Sequence, residues 1–231
     1  MFHARFTNAT AFSHPVSKVV CVGRNYAAHA RELNNPVPDQ PLLFIKPASA
    51  VCELTQPLCL PNDRGPVHFE TELTLLIGDT VSKADAGSAL EAVVGVGLAL
   101  DLTLRDLQQQ LKDKGHPWEL AKGFDGACPL SSFVPVRGLA ADSRFQFTAT
   151  IDGELRQQGD TADLLQAIPG LLSYMSQHFT LCPGDVVLTG TPAGVGPLYQ
   201  GQQIVLSLAD HLLESTHVAQ GPAPDNHAGR V

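Results

Sequence analysis

The alternation of apolar and polar positions divides the chain into many short elements. Residues 17–22 (SKVVCV) read as an early strand, followed by the turn-forming Gly23. NYAAHAREL predicts a short helix over 25–33, stopped by PVPDQP at 36–41 because proline lacks the donor and clashes with the preceding turn. LLFIKP (42–47) is a second strand closed by Pro47, and residues 48–66 are a proline-broken stretch ending in PNDRGP. HFETELTLLIG at 68–78 reads as one strand. Its first half alternates, with His68, Glu70 and Glu72 on one face and Phe69, Thr71 and Leu73 on the other. A short helix over 88–94 leads into the buried run VVGVGLAL (93–100), which ends at Asp101. Thr103 and Asp106 then approximate a capping signal, and Leu104, Leu107 and Leu111 keep helical spacing as far as Gly115.

Downstream, FQFTATI (145–151) alternates cleanly, Asp152-Gly153 is a hairpin turn, and ELRQQ returns. Residues 162–179 predict a helix in two pieces around Pro169, with Ile168, Leu171, Leu172, Met175 and Phe179 as its apolar stripe. CPGDVVLTG is a turn then a strand, GTPAGVGP a glycine-rich loop, and IVLSL with residues 211–218 a final strand pair. The tail APDNHAGRV is expected to fray. Many short strands, glycine and proline turns and few helices predict an α+β fold, mainly β, in a single domain without repeats.

Composition narrows the function classes. The 231 residues carry 23 acidic and 15 basic side chains, a net charge of -8, and only 16% are charged. That excludes a disordered solvating chain and a long charged helix. With no basic run, nucleic acid is not an expected partner. The five cysteines (Cys21, Cys52, Cys59, Cys128 and Cys182) form no CxxC pair and read as buried, reduced thiols of a reducing compartment. MFHARFTNATAFSH contains no sustained apolar segment, and VVGVGLAL is too short to span a bilayer. A cytoplasmic protein with no membrane partner is expected.

Candidate chemistry lies with the carboxylates. On a strand, Glu70 and Glu72 project to one face, where like charges need solvent or a cation to compensate them. A solvated strand face explains the local pattern equally well. Asp101 sits at the mouth of a buried strand, where it could join them as a third hard oxygen ligand for Mg²⁺ or Mn²⁺. His68 can reach the same face, or lie on the surface. Lys122, in WELAKGF, offers a cation to a substrate or ligand carboxylate. His29 and Glu32, three apart on the short helix, can touch as a general base with its orienting carboxylate, or as a surface pair. GTPAGVG (190–196) is not a nucleotide loop, since it lacks GxxxxGK[ST] and GxGxxG. Its Thr191 hydroxyl and backbone N–H groups could still serve an anionic substrate. No GxSxG nucleophile elbow is present.

These pieces together resemble the fumarylacetoacetate hydrolase family, in its short single-domain acylpyruvase and oxaloacetate decarboxylase type. The matching segments are VGRNYAAHARE (22–32), LLFIKP (42–47), HFETELTLLIG (68–78), LALDLTLRDLQ (98–108), PWELAKGFD (117–125), DGELRQQG (152–159) and PGDVVLTGTPAGVGP (183–197). The resemblance runs in family order over residues 17–218, the expected catalytic domain. It leaves residues 1–16 as an N-terminal extension and 219–231 as a disordered tail. It implies mixed rolled β-sheets, a homodimer, and Mg²⁺ (or Mn²⁺) on Glu70, Glu72 and Asp101. It implies further that Lys122 lies near the bound oxygens and that His29 with Glu32 sits on a lid helix and organises an attacking water. Arg24, Tyr26, Gln108 and Thr191 match substrate-contact positions. The implied activity is metal-dependent hydrolysis of a C–C bond in an acylpyruvate, such as a 3-acylpyruvate or fumarylpyruvate, to pyruvate and a carboxylic acid, with decarboxylation of oxaloacetate alongside. Two alternatives stand beside it. One is an isomerase or tautomerase acting on oxaloacetate or 2-hydroxyhepta-2,4-diene-1,7-dioate. The other is a non-catalytic binder of a 2-oxo acid or metal.

Overall fold

The valine- and leucine-rich runs meet side by side. In the computed structural model, which describes residues 1–33 and 38–219, Lys18–Gly23 lies antiparallel to Leu42–Pro47 and parallel to Val186–Leu188. Val186–Leu188 then pairs with Thr71–Ile77, which pairs with Val93–Leu100. Cys128–Leu130, Val51–Glu53 and Val134–Pro135 complete a curled, mixed sheet of eight strands. All of Thr71–Ile77 is buried, because the strand is central and covered on both faces, which is why alternation fades along it. The hairpin Gln146–Ile151 and Glu154–Asp160 joins Gln203–Leu208 and Leu212–His217 in a four-stranded antiparallel sheet. Its turn residues Asp152 and Gly153 both take positive φ (53° and 82°), as a tight two-residue hairpin turn requires. The fold is α+β and mainly β, as expected.

Several boundaries differ from the sequence reading. The single strand expected over 68–78 is two. Val67–Phe69 belongs to a three-stranded sheet with Thr103–Leu104 and Gly196–Pro197, and Thr71–Ile77 belongs to the large sheet. The chain changes sheets at Glu70, where the Thr71 N–H is taken by the side-chain oxygen of Gln157 at 2.9 Å. Thr103 does not cap a helix. It lies in a strand, its hydroxyl donates to the Asp101 carbonyl at 3.0 Å, and helix Arg105–Asp113 begins without a side-chain cap. Residues 162–167 are not α-helical. A 3₁₀ turn at Thr161–Asp163 precedes helix Ile168–His178, with Pro169 in its first turn where no donor is needed. The helix expected over 88–94 runs Ala86–Glu91, capped by Asp85, whose carboxylate accepts from Gly87 and Ser88.

Residues 1–16 fold back onto the body. Arg5 bridges Ala11, Phe6 bridges Phe133, and Ala4 and Val16 are buried. The expected tail lies, after Ala219, outside the described residues, as do Pro36 and Val37 of the proline stop. All five thiols are free, but only Cys21 and Cys128 are buried, and Cys59 is exposed at the proline-rich edge. Among the described residues no helix is long and apolar enough to cross a membrane.

Candidate metal centre

The sheet change at Glu70 builds the site. The Asp101 N–H donates to the Glu70 carbonyl at 2.8 Å, which fixes the end of Val93–Leu100 against the start of Thr71–Ile77. Glu70, Glu72 and Asp101 are consequently neighbours, all three are buried, and one oxygen from each lies within 4.8 Å of the others. His68 does not join them. Its half-buried ring stands by Arg105 and Glu70, and burial and Arg105 lower its pKa.

Cations compensate two of the three carboxylates. Lys122, in the short helix Glu119–Lys122, directs its ammonium to Glu70 Oε2 (2.8 Å), Asp101 Oδ2 (2.6 Å) and Thr103 Oγ1 (2.7 Å), over the ring of Phe44. Arg105 pairs with Glu70 and donates to Gln108 Oε1 at 2.8 Å. Lys46, fully buried, lies 2.8 Å from Asp101 Oδ1 and donates to the carbonyls of Leu102, Lys122 and Ala127. Burial alone would lower the Lys122 ammonium, but Asp101 and Glu70 outweigh it and raise its pKa. Burial would likewise raise the Glu70 carboxyl, but Lys122, Arg105 and His29 hold it well below the usual range. Among the described residues Glu72 has no such ion-pair partner. It accepts the Gly190 N–H at 2.6 Å, while burial, Asp101 and Glu70 push its pKa well above the usual value. Three buried carboxylate oxygens, one group uncompensated, are the donor set of a hard divalent cation, and the residues fit Mg²⁺ or Mn²⁺.

The short helix Ala27–Glu32 closes one side. His29 is buried, its Nδ1 lies 3.2 Å from Glu32 Oε2, and Glu32 Oε1 accepts the Gly194 N–H at 3.0 Å. The cavity over the triad is lined by His29, Arg24, Gln108, Lys112, Trp118 and Thr191. Thr191 donates to the Thr71 carbonyl at 2.9 Å and accepts from Gln157 Nε2 at 2.8 Å. Tyr26 is buried away from that lining, with its hydroxyl unpartnered and its pKa raised by burial and then Glu72.

Sequence reasoning misses Lys46, Arg105 and Gln157. LLFIKP and LTLRDLQ both lie in segments that carry the resemblance, yet neither pattern marks its cation. Gln157 could be found only through the break it makes at Glu70: its amide bonds Thr71, Thr191 and the Pro192 carbonyl together.

The family profile described as "Fumarylacetoacetate (FAA) hydrolase C-terminal" matches residues 18–220. The chain is 51% identical over 201 residues to an oxaloacetate tautomerase of Escherichia coli (strain K12), covering 87% of this chain and 92% of the relative. It is 42% identical over 188 residues to a mitochondrial oxaloacetate decarboxylase of Dictyostelium discoideum, covering 81% and 86%. The crystal structure of a fumarylpyruvate hydrolase from Pseudomonas aeruginosa in complex with Mn²⁺ and pyruvate superposes with a TM-score of 0.87 at 36% identity, covering 94% and 95%. This chain belongs to the fumarylacetoacetate hydrolase family, close to its oxaloacetate tautomerase and decarboxylase members.

Proposed function

We propose that this member of the fumarylacetoacetate hydrolase family is an oxaloacetate keto–enol tautomerase dependent on Mg²⁺ or Mn²⁺. The observation that carries this reading is the uncompensated Glu72 beside paired Glu70 and Asp101, in a chain half identical to an oxaloacetate tautomerase. A divalent cation on Glu70, Glu72 and Asp101 would supply Lewis-acid polarisation of the keto group of a 2-oxo acid. The chain's own residues do the rest. Lys122 and Arg105 fix positive charge beside the carboxylates, where negative charge on the substrate oxygens must be tolerated. His29, with Nδ1 tied to Glu32, presents its other ring nitrogen to carry the C3 proton, so one proton leaves carbon and another reaches the C2 oxygen. No carbon–carbon bond breaks. Gln108 and Thr191 line the cavity and orient the substrate, as does Arg24.

Hydrolysis of an acylpyruvate, which the sequence puts first, is the second reading. The assembled His29–Glu32 pair and the likeness to the fumarylpyruvate hydrolase favour it. A single experiment separates the outcomes: enol oxaloacetate is added to the Mg²⁺-loaded protein, the enol absorbance is followed, and products are read by NMR. Faster enol decay without CO₂ or a second acid is expected. Stoichiometric CO₂ and pyruvate, or cleavage of acetylpyruvate with no effect on the enol, would overturn the tautomerase reading.

A further inference from the structure

Three groups close a ring of hydrogen bonds at the start of Thr71–Ile77. The Thr71 N–H donates to Gln157 Oε1 at 2.9 Å, Gln157 Nε2 donates to Thr191 Oγ1 at 2.8 Å, and the Thr191 hydroxyl donates to the Thr71 carbonyl at 2.9 Å. Gln157 reaches in because its strand is bulged. Ala149 pairs with Gln157 and Thr150 with Leu155, which leaves Arg156 as the extra residue. Leu155 and Gln157 would share a face of a regular strand, yet Leu155 is exposed and Gln157 is buried. The amide has one orientation. Turned over, it would set its own N–H against the Thr71 N–H and its oxygen against the Pro192 carbonyl, which takes Nε2 at 2.9 Å.

The ring runs one way: each member donates to the next, an arrangement in which the bonds strengthen one another. It also decides what Thr191 has left to offer. A hydroxyl holds one proton and two lone pairs. The proton goes to Thr71, whose carbonyl is nearer than that of Pro192 at 3.5 Å, and one lone pair takes Gln157 Nε2. Thr191 is buried and lines the cavity over the triad, so the second lone pair is what its hydroxyl contributes to a ligand there. We propose that Gln157 is a positioning residue: it holds Thr191 in this ring as a hydrogen-bond acceptor, which favours a ligand oxygen that carries a proton, the enol hydroxyl, over the keto carbonyl. This rests on the 2-oxo acid reading above and adds to it the tautomer that the site holds more tightly.

Lactate and pyruvate serve as probes, since one carries a hydroxyl at C2 and the other a carbonyl. Trp118, the single tryptophan, lines the cavity and reports binding by its fluorescence. Both acids are titrated into the Mg²⁺-loaded native chain, Thr191→Val, Thr191→Ser, Gln157→Met and the double variant of Thr191→Val with Gln157→Met. A Mn²⁺ titration accompanies each. Affinity for lactate relative to pyruvate is expected to fall about tenfold in Thr191→Val, the worth of one hydrogen bond, and to return in Thr191→Ser. It should fall in Gln157→Met as well and no further in the double variant, with Mn²⁺ affinity within error throughout. A ratio unchanged in Thr191→Val would overturn the acceptor role, and that result stands even where Gln157→Met fails to fold. Losses that add in the double variant, or weaker Mn²⁺ binding in Gln157→Met, would overturn the positioning role and leave Gln157 as a support of the Glu70–Glu72 segment. The expected binding pattern without faster decay of enol oxaloacetate would uphold the ring and overturn the tautomerase reading instead.

Discussion

Glu32 and Gly194 are joined by a hydrogen bond from the Gly194 N–H to Glu32 Oε1 at 3.0 Å, while the other Glu32 oxygen holds His29. A six-residue helix is too short to be stable alone, so this tether, with packing, keeps Ala27–Glu32 seated over the cavity. The same loop supplies the Gly190 N–H to Glu72. One glycine-rich segment thus registers the His29–Glu32 pair against the carboxylate triad.

Glu32→Ala is expected to lower kcat by about 10²–10⁴-fold, the usual contribution of general acid–base catalysis. It should leave Mn²⁺ affinity within error, because Glu32 is not one of the three clustered carboxylates. Steady-state rates and a Mn²⁺ titration on the same preparation check this. An equal loss of metal binding would mean that the helix positions the triad itself.

Gly194 has φ +102°, and a Cβ built there would lie 1.9 Å from the Arg156 carbonyl oxygen. Both the dihedral and the contact oppose a side chain. Gly194→Ala should cost more than about 1 kcal/mol and lower activity with it, because the backbone must move and Glu32 follows. Urea denaturation and kcat measure the two effects.

Glu72 gives opposite signs with and without metal. Its raised pKa means that ionised Glu72 opposes folding at neutral pH when no cation is present, and that this cost disappears as pH falls. Glu72→Gln keeps an acceptor for Gly190, so the metal-stripped variant should melt above the metal-stripped native protein. With Mg²⁺ the order should reverse, since binding stabilises the native chain by about 2.7 kcal/mol at a hundred times Kd. Thermal scans in EDTA and in Mg²⁺ test both halves.

The carboxylates were legible because their signals are local. The Glu70–Glu72 alternation and Asp101 at the end of an apolar run need no knowledge of what packs around them. Lys46 was not legible. Its neighbours Phe44 and Ile45 mark a strand, and a lysine there reads as an outward polar residue. Its burial depends on carbonyls from Leu102, Lys122 and Ala127, which only the folded chain assembles. The break at Glu70 was hidden for the same reason, since Gln157 supplies it from a distant hairpin. Thr103 misled because a hydroxyl before a helix suits a cap, yet here the Lys122 ammonium claims it.

Lys46→Met removes a buried cation while keeping the stem volume. It leaves three carbonyls without their donor and Asp101 with Lys122 as its one remaining ion-pair partner among the described residues. A loss of about 3–5 kcal/mol is expected, the cost of breaking a buried ion pair from one side. Combining it with Asp101→Asn should cost less than the two single changes together, because each already removes the same pair. Denaturant titrations of the four proteins give the coupling directly.

Acid should loosen the support beneath the short helix through Asp160. Its carboxylate accepts from Arg144 (2.8 and 2.9 Å), from Gln146 Nε2 (2.8 Å) and from the Ala162 N–H (2.9 Å). Arg144 foremost holds the pKa well below the usual carboxylate range. Because the folded value is the depressed one, the stabilisation is complete above the unfolded pKa near ~3.9 and is lost as pH falls below it. The turn that Asp160 caps leads into Leu164 and Leu165. Leu164 bridges Tyr26, and the Leu165 N–H donates to the Asn25 carbonyl at 3.0 Å, directly before Ala27–Glu32. Asp160→Asn should therefore lower the melting temperature at neutral pH, with the gap narrowing as pH falls below about 4, where the carboxyl of the unfolded chain protonates, and closing only in stronger acid, where the native carboxyl follows. Because Arg144 is exposed, high salt should shrink the gap as well. A gap independent of both pH and salt would assign the effect to the cap on Ala162 rather than to charge.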